Sequence, residues 1–412
     1  MSGDGLLRIA LLSYRGNPRA GGQGVYVRQL SRELRALGHH VEVISGPPYP
    51  MLAEGIPLTG LRGLDLFAEP NPFRTPALRE LRGIPDWVEF AGMRRGGFPE
   101  PLAFSLRALA VLARRRRDFD IVHDNQCLGY GLLGVPALGL PVLATVHHPV
   151  AIDRDLDVAH AVAERRPATL RWYRFTAMQR RVAGRLNRII TPSLAAKHAI
   201  AHHLRVPGDR VDVVPVGVDH TVFRPDPAAT RVPGRIVSTA SADVPLKGLD
   251  TLIAAGRRLL DAGRRFELVV VGTPRAGGAT ATALADHELA DRVTFRTGLS
   301  DVDLVDLLRS AEIACVPSRY EGFSLPAAEA MACGTPLVAT DAGALPEVVG
   351  PAGLLVPPDD PDRLADALGR LLTEPELRAG LAAEGIARAR GFTWRRCAEA
   401  TVAGYRRSVS AC

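Results

Sequence analysis

The feature that most constrains this chain is a recurring alternation: a short apolar run, a turn bearing glycine or proline, then an amphipathic helical stretch. Apolar runs without polar alternation belong to strands buried on both faces, and parallel strands need long crossovers between them. The rhythm predicts parallel sheets covered by helices on both sides, an α/β protein. It begins with a strand over Leu7–Tyr14, a turn holding Gly16, Gly21, Gly22 and Gly24, a helix over Val25–Leu37 and a strand over His40–Ser45. Residues 46–101, rich in proline and glycine, break it and read as an irregular insertion. It resumes with a helix over Phe104–Arg117, strands at Asp120–Val122 and Pro141–Val146, a long amphipathic helix over Leu170–Leu186 and a strand at Arg188–Thr191.

A second set of strands follows at Arg235–Thr239, Glu267–Val271, Val293–Thr297, Ile313–Val316, Pro336–Ala339 and Gly353–Val356. For 412 residues, at roughly 100–200 per domain, the expectation is two Rossmann-like domains. They are expected at 1–210 and 211–390, with residues 391–412 a terminal helix (Thr393–Val409) returning to the first. Composition, 47% hydrophobic and 23% charged, excludes disorder and coiled coil. No apolar run approaches the ~18 residues of a membrane span, and the first residues lack the regions of a signal peptide. Cys127, Cys315, Cys333, Cys397 and Cys412 are scattered without a CxxC, so the chain reads as cytoplasmic with reduced thiols.

Of 51 basic residues only Lys197 and Lys247 are lysines, leaving 51 − 2 = 49 arginines. Bulk arginine is therefore compositional, and a lysine is the informative cation. The net charge of +7 does not require an anionic partner, and no interleaving of aromatics with the arginines supports nucleic acid.

Gly21-Gly22-Gln23-Gly24 lies between the first strand and helix, where backbone N–H groups and a helix N-terminus suit a phosphate. A dinucleotide fingerprint fails: Val27 stands where the third glycine belongs, and Ser45 rather than an acid ends the second strand. Phosphate contact and a plain tight turn both remain open. More informative is Pro317–Met331, in which a strand delivers Glu321, Phe323, Ser324 and Leu325, then a helix carrying Pro326 and Glu329. The alanines around Glu329 predict a helix buried all round, where a carboxylate needs donors.

At this point the chain resembles glycosyltransferase family 4, retaining nucleotide-sugar enzymes of the GT-B fold. The resemblance is carried by EGFSLPAAEAMACGTPLVAT at 321–340, AGGQGVYVRQL at 20–30, TVHHP at 145–149, VVPVGVDHTVFRP at 213–225, PLKG at 245–248 and the FTW at 392–394. It implies two Rossmann-like domains facing each other across a cleft, the first binding the acceptor and the second the donor. It gives catalytic roles to His147, Glu321 and Lys247. Glu329 is similar to the glutamate that holds the donor ribose, Glu321 to the one on the donor sugar's hydroxyls, and Lys247 to the lysine on the diphosphate. Gly22, Ser241, Gly298, Phe323, Ser324 and Leu325 complete the implied donor site. Gln23, Asp124 and Asn125 are acceptor candidates, although loop capping explains the polar run His123–Gln126 nearly as well. His148 replaces His147 if the strand register is shifted by one.

One departure stands out. The family usually has an arginine six residues before the lysine, where this chain has Ser241; Arg319 is a candidate to replace it. Other signals are discounted. Asp153-Arg154-Asp155-Leu156-Asp157 contains a DxD but reads as a polar loop leading to a helix, and His198 and His202 lack a third ligand. The run Arg171–Arg181 mixes aromatics with arginines, as in a helix packed on a sheet or one lying on a membrane.

The expected activity is transfer of a hexose-type sugar from a UDP- or GDP-sugar to a small-molecule, lipid or glycan acceptor, with retention, no metal and no cofactor. The alternative is a sugar-nucleotide epimerase on the same scaffold. Peripheral contact with the inner face of the membrane is left open.

Overall fold

The computed structural model describes residues 5–16, 22–68 and 70–410. Gly21 of the first glycine turn lies outside them. The chain divides into two units, 1–215 with 394–412, and 216–393.

The first unit runs β1 (Arg8–Ser13), α1 (Gly22–Ala36), β2 (His40–Ser45), β3 (Leu58–Gly60), α2 (Ile84–Arg94), α3 (Glu100–Arg114), β4 (Ile121–Asn125), β5 (Val142–Thr145), α4 (Ala151–His160), α5 (Arg166–Trp172), α6 (Phe175–Ala183), β6 (Arg188–Thr191), α7 (Leu194–His203) and β7 (Val211–Val213). Its seven strands lie in the order β3-β2-β1-β4-β5-β6-β7, every pair parallel. The second runs β8 (Arg235–Ser238), α8 (Leu249–Asp261), β9 (Glu267–Val271), α9 (Ala279–Asp286), β10 (Val293–Arg296), α10 (Asp301–Ser310), β11 (Ile313–Val316), α11 (Leu325–Ala332), β12 (Leu337–Thr340), α12 (Leu345–Val349), β13 (Gly353–Val356), α13 (Pro361–Thr373) and α14 (Pro375–Ala389). Its six strands, again all parallel, lie in the order β10-β9-β8-β11-β12-β13. Both are doubly wound Rossmann-like sheets, and the order reverses direction between β1 and β4 and between β8 and β11. The central strands carry the core: every residue of β4, β5, β11 and β12 is buried.

The final helix, α15 (Trp394–Ser410), belongs to the first unit and buries Trp394, Cys397, Val402 and Tyr405 there. The first division falls after Pro215 rather than 210, because β7 adds to the first sheet beside β6. The second falls after Thr393 rather than 390; residue 393 still forms a bridge with Val218.

Three expectations need correction. Residues 46–101 hold a strand, a helix and the start of α3, so they are not irregular throughout. The helix expected over 170–186 is two, α5 and α6, broken at Tyr173–Arg174. The break lets Trp172 pack against Phe67 and Phe98 with 5.3 Å between ring centroids, while Phe175 reaches Phe98 at 5.4 Å. The Asp153–Asp157 run is not a loop: it lies within α4, where Asp153 accepts from His148 Nε2 at 2.7 Å and Asp157 from the Tyr173 hydroxyl at 2.6 Å. Among the described residues no helix is long and apolar enough to cross a membrane.

Candidate functional site

In the second unit the residues of interest follow β8 and β11, the two strands at the switch point, where ligands of such sheets bind. After β8 the chain makes a single helical turn, Pro245–Lys247, before Gly248 opens α8. Gly248 has φ +63°, and a Cβ there would sit 2.0 Å from the Pro317 carbonyl, so only glycine lets this turn press against the segment after β11. The turn is also held from the other side. Arg319 N–H donates to the Leu246 carbonyl at 2.8 Å, and its guanidinium reaches Asp359 Oδ1 at 2.6 Å, Asp250 Oδ2 at 2.7 Å and the Pro245 carbonyl. Its side chain is 8% exposed.

That clamp presents Lys247 to Glu321. Lys247 Nζ donates to Glu321 Oε1 at 2.8 Å, and Ser318 Oγ donates to the same oxygen at 2.7 Å. Glu321 is buried, and its carbonyl accepts from Ala344 N at 2.9 Å. A second glycine secures this approach: Gly343, φ +58°, would carry a Cβ 2.4 Å from the Glu321 carbonyl oxygen. The lysine side chain is 27% exposed and the carboxylate 10%, so it is Glu321 that needs its partner: removing Lys247 leaves a buried charge uncompensated.

Beyond Glu321 the chain enters α11 through Ser324, a non-glycine residue at φ +85° whose Oγ caps the helix by accepting from Ala327 N. Such backbone costs on the order of 1–3 kcal/mol and clusters at functional sites. Phe323 and Ser324 are buried. The expectation of a helix buried all round fails: Ala327, Ala328, Ala330, Met331 and Ala332 are inside, while Leu325, Pro326 and Glu329 are half-buried and mark its open side. Ser241 and Gly298 are exposed on the loops after β8 and β10.

Arg319 is not a free substitute for the arginine missing at Ser241. Its guanidinium is committed to Asp250, Asp359 and the Pro245 carbonyl, and it acts by holding the turn that carries Lys247. That brace, together with Ser318 on Glu321, escaped sequence reasoning. Ser318 sits inside the recognised segment and was available to it; the partners of Arg319 lie 40 and 69 residues away.

In the first unit the candidates gather at the ends of β4 and β5. His147 Nε2 lies 2.8 Å from Asn125 Oδ1, and its ring meets Tyr26 edge-on at 4.7 Å. Because that oxygen can only accept, Nε2 carries the proton. Burial, with His148 beside it, pulls the His147 pKa down to about 3, so the ring is neutral. The backbone N–H of His147 donates to Gln126 Oε1 at 2.5 Å, and Gln126 Nε2 returns to the His148 carbonyl at 2.9 Å. His148 is turned to α4 through Asp153, as above.

Asp124 is a correction to the acceptor candidates. It is fully buried, and its Oδ2 accepts from Leu128 N at 2.9 Å, which is loop capping. Among the described residues its Oδ1 has no hydrogen-bond partner, and burial pushes its pKa up to about 7. Asn125 is also buried, with Nδ2 lacking a partner among the described residues. Gln23 is half-buried and Gly22 exposed in the first turn of α1. His123, behind them, is fully buried, 2.6 Å from both the Tyr405 hydroxyl and Thr145 Oγ1, and Tyr26 joins Thr145 at 2.9 Å. Among the described residues no group of three His, Cys, Asp or Glu side chains converges as a metal would need.

The chain is similar to known proteins along nearly its whole length. Residues 20–222 match the family model Glycosyltransferase Family 4, and residues 233–374 match Glycosyl transferases group 1. The MMP alpha-(1->4)-mannosyltransferase of Mycolicibacterium hassiacum is 50% identical over 409 residues, covering 98% of this chain and 99% of the relative. The D-inositol 3-phosphate glycosyltransferase of Frankia alni is 35% identical, with 96% of each chain covered. Among solved structures, sucrose-phosphate synthase from Thermosynechococcus elongatus superposes with a TM-score of 0.75 at 26% identity, over 98% of this chain and 100% of the other.

Proposed function

This chain belongs to glycosyltransferase family 4 and has the GT-B fold, and from that premise we propose that it transfers a mannosyl unit from a nucleoside diphosphate sugar to the 4-hydroxyl of an acceptor sugar, with retention at the anomeric carbon. The observation that carries the reading is the Lys247–Glu321 contact at the switch point of the second sheet. A cation there meets the diphosphate, and the carboxylate beside it accepts hydroxyl groups of the sugar. The choice of mannose and of the 4-hydroxyl rests on the relative from Mycolicibacterium hassiacum.

The chemistry asks little of the protein in acid–base terms. The bond from the anomeric carbon to the diphosphate oxygen breaks as the acceptor oxygen bonds to the same face of that carbon. The departing phosphate oxygen takes the acceptor's proton, so no protein base or nucleophile is needed. What the protein supplies is charge stabilisation, and Lys247 does so as negative charge grows on the leaving group. Glu329, half-buried on α11, would bind the ribose hydroxyls in this reading. Neutral His147 offers Nδ1 as a hydrogen-bond acceptor. The scheme calls on protein cations rather than a metal at the diphosphate, beginning with Lys247.

The protein should be incubated with GDP-mannose or UDP-glucose, an α-mannoside acceptor and excess EDTA, and the product linkage read by NMR. An α(1→4)-linked product that persists with EDTA is expected. A β-linked product would overturn retention, and activity lost with chelator but restored by magnesium would overturn metal independence. A sugar nucleotide altered without acceptor would point to the epimerase. Lys247→Ala should lower turnover about 10²–10³-fold, the range for removing one preorganised charge-stabilising group, with far less effect on nucleoside monophosphate binding. Unchanged turnover would refute its role.

A further inference from the structure

The reading above leaves the donor short of positive charge. Each phosphate of a sugar nucleotide carries a negative charge, and the leaving group gains another as the bond to the sugar breaks. On the loops after β8 and β11 the cations are Lys247 and Arg319, and both are already matched. Lys247 faces Glu321 at 2.8 Å, and Arg319 faces Asp250 and Asp359 at 2.7 and 2.6 Å.

The loop after β9 differs. It starts at Gly272, packed so closely on the segment after β8 that a Cβ there would lie 3.3 Å from Ala242 N and 3.6 Å from Ser241 Cα. Three residues on, Arg275 donates its backbone N–H to Asp243 Oδ2 at 2.7 Å. Asp243, itself left-handed at φ +57°, accepts from Thr280 N at 2.8 Å through its other oxygen. One carboxylate thus ties Arg275 to the segment that bears Ser241 and Lys247. The Arg275 side chain is exposed and makes neither a hydrogen bond nor an ion pair with any described residue. Its charge is nonetheless felt: burial would raise the Asp243 carboxyl, but the N–H groups of Arg275 and Thr280 and the nearby guanidinium hold it below its ordinary value.

We infer that Arg275 is the second cation of the donor diphosphate site, standing in for the arginine that this chain lacks at Ser241. The inference rests on the nucleotide-sugar reading above. The family position and Arg275 come from different strands, but neighbouring ones: Ser241 follows β8 directly, and Arg275 arrives from β9, the adjacent strand. Arg296, also exposed, ends β10 one strand further out and has no such tie to Asp243. A guanidinium on an exposed stem can swing onto a bound diphosphate and grip two oxygens at once, as Lys247 cannot.

The test is calorimetric binding of GDP and GMP, and of UDP and UMP, to the full chain and its variants. Arg275→Gln should weaken binding of the preferred diphosphate about tenfold or more while changing monophosphate affinity less than threefold. Arg296→Gln should change neither. Adding Ser241→Arg to Arg275→Gln should restore diphosphate affinity, an outcome that a merely structural effect of Arg275 would not produce. If Arg275→Gln binds diphosphate like the parent while Lys247→Ala loses it, the inference fails and the nucleotide-sugar reading stands. If the parent binds no nucleoside diphosphate, both fail.

Discussion

Replacing Arg319 separates its two possible roles. The guanidinium joins Asp250 and Asp359, whose side chains are 55% and 58% exposed, so each ion pair contributes about 0–1 kcal/mol. The bond to the Pro245 carbonyl is deeper, and losing it costs about 1–3 kcal/mol. Arg319→Ala should therefore destabilise the second unit by about 3 kcal/mol, lowering its Tm by about 6–12 °C for a domain of this size. The effect on turnover should be larger than a stability loss explains. With the clamp gone, the Pro245–Lys247 turn loosens, and a misplacement on the order of 1 Å at a catalytic group costs about 10²-fold. Turnover should be measured well below the variant's Tm, beside its affinity for nucleoside mono- and diphosphates. A fall of about 10²-fold in kcat, with monophosphate affinity kept and diphosphate affinity reduced less than in Lys247→Ala, is the expected result. Arg319→Lys, which keeps a charge but not the fork, should recover little. A folded Arg319→Ala variant with turnover within threefold of the parent would refute the brace. Loss of diphosphate affinity that lysine restores would instead return Arg319 to the substrate.

Tyr405→Phe should cost about 1–3 kcal/mol in the first unit, because it leaves His123 Nδ1 buried without a partner; an unchanged first unfolding transition in calorimetry would refute this. Asp124→Asn should change the pH dependence of stability with a defined sign. The folded pKa of Asp124, about 7, lies above its unfolded value near 4, so its stabilisation is complete below pH ~4 and is lost as pH rises through 7. The Tm of Asp124→Asn should therefore improve relative to the parent between pH 4 and 8, and parallel curves would refute the shift.

The sheets were legible because strands buried on both faces are contiguous apolar runs. Glu267–Val271, Ile313–Val316 and Gly353–Val356 were read with the limits they have in the structure. Helix α2 was missed because its pattern is inverted. Asp86 and Glu89 face inward, each 2.6 Å from Arg107, while Ile84 and Trp87 are exposed, so an inner face defined by apolar spacing is absent. The sequence of α4 reads as a loop for a related reason, since Asp153 and Asp157 find His148 and Tyr173 only in the fold. The roles proposed for Glu321, Glu329 and Lys247 come from likeness to a family, which supplies roles but not local bonding. Lys247 and Glu321 are 74 residues apart, and no periodicity links them. Conversely, Asp124 looked like a rim residue because it ends an apolar run; only its burial gives it to the loop.

The return of α15 to the first unit has a consequence for how the molecule is made. His123 must wait for Tyr405, 282 residues later, before its ring nitrogen finds the phenol. When the ribosome has finished β7, about 180 residues separate it from Trp394, about 9–36 s at about 5–20 residues per second. Throughout that interval the seven strands exist without the helix that covers Leu143 and Ile190, each within 3.5 Å of a Cβ placed on Gly404. The nascent first unit therefore displays an apolar face until the whole second unit has been made and α15 follows it. Emergence of α15, rather than emergence of the sheet, is the event that completes it.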